Sequence, residues 1–228
     1  MPRIGRIVLP GQPHHVTQHG NNRQDVFLVD DDRTVYLHLL WRQALLYGVE
    51  VIGYCLMSNH VHLIVSPARE DSLAKAVGRT HFLYTQYLHR LHNRTGHLWQ
   101  NRFYSCALDE PHCWEALCYV ERNPVRAGLV RAPWRYPWSS APAHCGLSQL
   151  PGLLSSPRWR RAWSSETWKA RLQTREQEAA LTALRLSTHT GRPLGTDTFL
   201  SKLEKTLGRR LRPLPIGRPK KVASEGGK

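Results

Sequence analysis

His60 and His62 stand two residues apart in Met-Ser-Asn-His-Val-His-Leu-Ile-Val, residues 57–65. Side chains alternate along a strand, so both imidazoles project from one face and Val61 from the other. That spacing lets two histidines hold one metal ion. The same pattern also describes two polar side chains on a wetted sheet face. The flanks, Val-Ile-Gly-Tyr-Cys-Leu-Met before and Leu-Ile-Val after, argue for a core strand, where imidazoles without partners are costly to desolvate. A metal site needs a further ligand. With a basic chain, the chemistry to consider is that of phosphodiesters. A hard divalent ion such as Mg²⁺ or Mn²⁺ withdraws charge from a non-bridging oxygen and fixes the scissile group. Imidazole is not magnesium's preferred ligand, so Mn²⁺ should also serve.

A second group is Tyr119, in Glu-Pro-His-Cys-Trp-Glu-Ala-Leu-Cys-Tyr-Val-Glu-Arg-Asn-Pro. On a helical wheel Cys113, Trp114, Leu117 and Val120 form an apolar stripe that should face a sheet. Glu115, Tyr119 and Asn123, four apart, form a polar stripe beside it. Tyrosine at such a border is an ordinary amphipathic residue. Beside a metal-bound phosphate it is also a nucleophile, although its reference pKa of about 10 requires a neighbouring cation. Attack on a phosphodiester would leave a phosphotyrosine that stores the bond energy, so that a strand could be rejoined without ATP.

The chain has 228 residues, enough for one substantial core and an appendage. Its net charge of +15 is unevenly spread: residues 1–130 hold 13 basic and 11 acidic side chains, residues 131–228 hold 19 and 6. A segment so basic seeks polyanions, nucleic acid first among them, or else is a solvated tail. Five cysteines without a C-x-x-C pair argue against a disulfide framework and a cysteine zinc site, and fit a reducing cytoplasm. No segment approaches the ~20 apolar residues of a membrane span, and the first residues lack the apolar run of a signal peptide.

The elements that must carry these groups read in order. His14–Gly20 alternates as a strand, and the Gly-Asn-Asn-Arg that follows is a turn. Thr34–Tyr47 keeps helical spacing up to Gly48. Residues 49–57 and 60–67 are β-branched runs joined by Ser58-Asn59, a hairpin. Residues 71–93 form a second helix, 96–109 a last strand, and 110–123 a third helix that Pro124 stops. This order, βαββαβ and a helix, predicts an α+β fold: a ferredoxin-like split βαβ with an antiparallel sheet and helices on one face. Residues 134–147 read as a loop, 157–186 as helical, 191–211 as a short helix after a Gly-Pro turn, and 212–228 as a disordered basic tail.

"MSNHVHLIV" together with "CYVERNPVRAGLV" (118–130) resembles the single-tyrosine HUH transposases, and among them the REP-associated tyrosine transposases of bacteria. "HHVTQHGNNRQDVF" (14–27) and "GHLWQNRFYSCAL" (96–108) resemble further blocks of that family in the same order. The resemblance covers residues 1–142, the expected nuclease domain. Residues 189–221 resemble a C-terminal extension found in one group, and 143–228 are expected to form a basic, DNA-binding extension.

The resemblance implies cleavage of single-stranded DNA beside an imperfect hairpin. His60 and His62 would hold the divalent ion. Tyr119 would attack the phosphate, leaving a 5′-phosphotyrosine and a free 3′-OH. Asn123 falls where relatives carry a polar third ligand. Ser58 stands where Pro is usual, and His19 where many relatives carry Arg. The resemblance further implies a nucleoid-associated cytoplasmic protein, either monomeric or a homodimer.

Expected DNA contacts are Asn21, Asn22 and Arg23 in the loop after the first strand, which reads equally as an ordinary turn. Arg102 and Arg126 are expected to supply backbone charge. Trp99, Phe103 and Tyr104 are candidates for stacking on unpaired bases, with core packing favoured for Trp99. Gly191-Arg192-Pro193 and Gly217-Arg218-Pro219, the second followed by Lys220 and Lys221, resemble the minor-groove hook in which an extended arginine enters a narrow groove. A nonspecific basic tail accounts for them equally. A domesticated hairpin-binding protein that no longer cuts is the alternative function; it would have no need of both histidines, the tyrosine and the asparagine.

Overall fold

The computed structural model describes residues 6–148, 152–154 and 157–212. Strand β1 (His14–His19) is followed by a 3₁₀ turn (Asn21–Arg23), helix α1 (Asp30–Tyr47), strands β2 (Val49–Leu56) and β3 (His60–Pro67), helix α2 (Ser72–Leu91) and strand β4 (Tyr104–Ala107). Helix α3 (Glu110–Glu121), a single turn α4 (Asn123–Arg126) and the short α5 (Ala141–His144) come next. Helices α6 (Pro157–Ala162), α7 (Ser165–Gln173), α8 (Glu178–Thr190) and α9 (Asp197–Leu207) make up the extension. The sheet order is β2-β3-β1-β4, antiparallel throughout. This is the α+β, ferredoxin-like split βαβ expected from the order of elements, except that helices cover both faces of the sheet rather than one.

Alternation along the strands divides the core in two. Val16, Leu63, Val65 and Tyr54 face α1 and α2 and pack with Tyr36, Leu40, Val77 and Tyr84. Ile64, Cys55 and Cys106 face the other way, where α3 and the extension cover them through Leu117, Val120, Trp168, Leu172 and Leu184. His60 and His62 share a face with Ile64, so their surroundings are set by α3 and α8 rather than by α1 and α2. The five cysteines are buried free thiols.

Two glycines fix these elements. Gly48 ends α1 in the left-handed conformation, φ +66°, which a residue without Cβ adopts at no steric cost. Gly53 lies under α3. A Cβ there would meet Leu117 Cδ1 at 2.2 Å, so the missing side chain is what lets α3 approach the sheet. A bulge between Val51 and Gly53 turns that face toward the helix.

Three further expectations change. The last strand spans Tyr104–Ala107 alone, because Gly96 and Asn101 adopt positive φ and break the extended run. Residues 134–147 are not a simple loop: Leu56 N–H donates to Trp138 O, and Tyr54 N–H to Ser140 Oγ, so the segment lines the edge of β2 before α5. The third helix ends at Glu121, two residues before the expected Asn123: Pro124, with no N–H to offer Val120, separates α3 from α4 at Arg122, whose backbone stays helical. Asn123 therefore remains one turn beyond Tyr119.

Candidate active site

A cleft of about 500 Å³ opens on the α3 face of the sheet. His15, Thr17 and His19 of β1, His60 and His62 of β3, Tyr104 of β4, Tyr119 of α3, Asn123 of α4 and Arg185, Thr188 and His189 of α8 line it, with Arg23 and Gln100 at its mouth. Register brings the strand residues together: His19 lies opposite His60, Thr17 opposite His62, and Tyr104 opposite Thr17. The four residues expected to carry the chemistry, His60, His62, Tyr119 and Asn123, converge here from three separate elements.

Their geometry is close. The rings of His60 and His62 lie 4.9 Å apart, and the Tyr119 ring 5.6 Å from that of His62, edge to face. Asn123 Nδ2 is 3.2 Å from His60 Nε2. His60 Nδ1 donates to Asn59 Oδ1 at 2.6 Å, which leaves Nε2 to accept from Asn123 Nδ2. Burial pushes the His60 imidazole down to about 4, with the neighbouring His19 adding to the effect, and burial with the neighbouring imidazoles holds His62 well below the ordinary histidine value. Both rings are thus neutral near pH 7, the form that binds metals.

Among the described residues no three His, Cys, Asp or Glu side chains form a metal-holding group. The donors that do converge are two neutral imidazoles and one amide, whose carbonyl is a hard oxygen ligand once the amide turns about χ2. The hydroxyl of Thr17, in the cleft beside His62, is buried and makes no hydrogen bond within the chain. Such a set fits a divalent ion with a bound phosphate.

Tyr119 is 8% exposed and belongs to the second core cluster, not to a polar border. The wheel reading fails because the extension covers the side of α3 that was expected to be wet; of residues 113–121 only Glu115 is exposed. Two cations approach the phenol. Arg126 places its guanidinium 4.1 Å from the ring centroid and donates to Tyr119 O at 2.6 Å. Its Nη1 meets both oxygens of Glu176, at 3.0 and 2.9 Å. The Arg185 guanidinium lies 5.6 Å from the same centroid, and a side-chain hydrogen bond to Tyr119 raises its already high pKa.

The expected DNA contacts divide. Arg23 reaches the cleft mouth from a loop in which Asn22 and Arg23 both have positive φ, while Asn59 Nδ2 donates to Arg23 O. Asn22 and Arg102 are exposed and Asn21 half-buried. Arg126 is held by Glu176 and by Tyr119 O, so its charge is already paired within the chain. Gly191-Arg192-Pro193 does not run extended as the hook reading expects. Gly191 is the left-handed cap of α8, Leu194 N–H donates to Ala107 O, and the Arg192 guanidinium donates to Leu211 O, so this segment is a folded turn. Arg218, Lys220 and Lys221 lie outside the described residues. Trp99 stacks on His81 at 4.5 Å and Phe103 is buried beneath Arg6, whereas Tyr104 lines the cleft, stacked on His189 at 5.2 Å.

Sequence reading missed His15, Thr17, Arg185, Thr188 and His189. Arg185, Thr188 and His189 do share a helical face at spacings of three and four, a signal in plain view. What sequence does not carry is that this face closes on the first strand.

Residues 12–123 match the family model described as "Transposase IS200 like". Among solved structures, one described as a REP-associated tyrosine transposase bound to a REP hairpin superposes with a TM-score of 0.55 at 18% identity, covering 68% of this chain and 94% of that one. A putative transposase from Deinococcus radiodurans R1 is similar at 20% identity and a TM-score of 0.38, covering 53% of this chain and 97% of that one. No curated protein matches the sequence.

Proposed function

Residues 12–123 belong to the IS200-like transposase family, and on that premise we propose that the chain is a metal-dependent endonuclease and strand transferase. Its substrate is single-stranded DNA beside a hairpin, and it works through a 5′-phosphotyrosine. The observation that carries this reading is the convergence of Tyr119 with His60, His62 and Asn123 in one cleft, the phenol ring 5.6 Å from His62. The REP hairpin bound by the structurally similar transposase supports the substrate class.

His60 Nε2, His62 and the Asn123 amide would hold Mg²⁺ or Mn²⁺, which supplies charge withdrawal from the scissile phosphate when bound. Tyr119 provides the nucleophile. Its hydroxyl oxygen attacks phosphorus, a P–O ester bond forms, and the bond to the preceding sugar's 3′-oxygen breaks to give a free 3′-OH. Arg185 lies where it can stabilise the phenolate as the proton leaves, and again when the phenolate departs in the reverse step. Thr17 and Arg23 offer donors to the phosphate and its neighbours, and Tyr104 with His189 a stacking surface for an unpaired base.

The test is a denaturing gel of the protein with end-labelled hairpin DNA from the flanks of its own gene, in Mn²⁺ or EDTA. A covalent band is expected that requires Mn²⁺ and disappears in Tyr119→Phe, while that variant still binds the hairpin. An adduct that survives in Tyr119→Phe removes Tyr119 from the mechanism. Binding with neither adduct nor cut would favour the non-cleaving hairpin binder.

A further inference from the structure

The two cleft histidines are held differently. Asn59 Oδ1 can only accept, so it fixes the proton of His60 on Nδ1. His62 Nδ1 instead meets His15 Nε2 at 2.9 Å, and His15 Nδ1 meets Thr188 Oγ1 at 2.8 Å. His15, His62 and Thr188 are 2%, 5% and 3% exposed, so water cannot replace any of these bonds.

A chain of two neutral imidazoles ending in a hydroxyl has two self-consistent proton arrangements. In one, each Nδ1–H donates, from His62 to His15 and from His15 to Thr188, and His62 keeps a lone pair on Nε2. In the other the order is reversed, and His62 Nε2–H has no lone pair to give. Free neutral histidine prefers the proton on Nε2, so the ring left to itself adopts the form that cannot ligate through that atom. Thr188 Oγ1 can accept from His15 while its own hydrogen turns to Cys106 Sγ, 3.2 Å away.

We propose that His15 and Thr188 are positioning residues that hold His62 in the Nδ1–H tautomer, with the Nε2 lone pair directed into the cleft. The proposal deepens the nuclease reading and rests on it for the purpose of that lone pair. Thr188 lies on α8, 173 positions from His15. The extension is accordingly part of the cleavage site and sets the state of one of its imidazoles.

The experiment uses the full metal-free chain labelled with ¹⁵N-histidine. Long-range ¹H–¹⁵N correlation spectra distinguish Nδ1–H from Nε2–H in each imidazole, and His62→Gln assigns the resonance. The wild type should show His62 as Nδ1–H. Thr188→Val, which removes the hydroxyl at nearly constant shape, should move it toward Nε2–H and weaken Mn²⁺ binding by about 10–100-fold, the usual effect of losing an outer-shell partner. Thr188→Ser should restore both. Should Thr188→Val fail to fold, His15→Phe keeps a ring without nitrogens and should produce the same change. Nε2–H in the wild type, or an unaltered His62 tautomer in folded Thr188→Val or His15→Phe, overturns the proposal. The tautomer is read without DNA or metal, so a relay that behaves as described in a protein that never cuts would refute the nuclease reading alone.

Discussion

Arg126 touches Tyr119 twice, through the ring face at 4.1 Å and through the carbonyl at 2.6 Å, and Glu176 holds it in place from the other side. A cation over an aromatic face contributes roughly 0.5–2 kcal/mol, and a charge-assisted hydrogen bond about as much again. Arg126→Ala should therefore slow adduct formation about tenfold or more, since each 1.4 kcal/mol is a factor of about ten. Hairpin affinity should keep its salt slope, because that slope counts phosphates neutralised and this guanidinium already faces a carboxylate. A slope lowered by nearly one unit would return Arg126 to the DNA backbone. The four residues that meet in the cleft were legible because each has a local pattern, H-x-H on a strand and Tyr and Asn one helical turn apart, and the family resemblance joined the two. The pairing of Arg126 was not legible, because its partner, Glu176, is 50 positions away. His15 and Thr188 were missed for the same reason, since a long-range hydrogen bond leaves no local period.

Helix α3 carries Tyr119, the proposed nucleophile, and its far end is locked by one acidic side chain. Glu121 is fully buried; Ser140 Oγ donates to its Oε1 at 2.5 Å, His144 Nδ1 lies 2.6 Å from the same oxygen, and Trp168 Nε1 donates to Oε2 at 2.7 Å. These partners come from the β2-edge segment, α5 and α7, so a single carboxyl group ties three parts of the second layer to α3. Glu121→Ala leaves the buried His144 and Trp168 N–H groups without their acceptor and should lower the unfolding free energy by about 3–5 kcal/mol, read as a reduced urea midpoint. A loss below about 1 kcal/mol would mean the network is dispensable. The strands and the first two helices could be read from sequence because alternation and helical spacing are local. The second layer could not. Residues 134–147 have no period of their own and take their shape from the edge of β2, and α3 looks amphipathic only until α7 and α8 cover its outer side.

At the scale of the whole molecule, the basic extension is not an appendage set apart from the core. Trp168, Leu172, Leu181 and Leu184 share a buried cluster with Ile64 and Leu117, so its first part folds onto the sheet. The same tight core makes stability depend on pH. His14 is fully buried, its Nδ1 2.8 Å from Gln12 O and its Nε2 accepting from Leu9 N–H. His81 is buried between α1 and α2, 3.0 Å from the Tyr36 hydroxyl. Burial holds their folded pKa values down to about 4 and about 3 respectively, whereas the unfolded chain titrates near the ordinary value of about 6.5. Below that value the unfolded state binds protons that the folded state refuses. The stabilisation is thus complete above about pH 6.5 and is lost as pH falls toward the folded pKa values. Each such histidine should cost about 1 kcal/mol between about pH 7 and about pH 5.5. Urea unfolding at constant ionic strength, with a chelator present, should show the midpoint falling over that interval. His81→Gln, which can still pair with Tyr36 but cannot titrate, should make the fall shallower by one histidine's share. A midpoint that stays level down to about pH 5 would mean that these imidazoles gain protons within the folded protein, and that its interior is wetter than their burial implies.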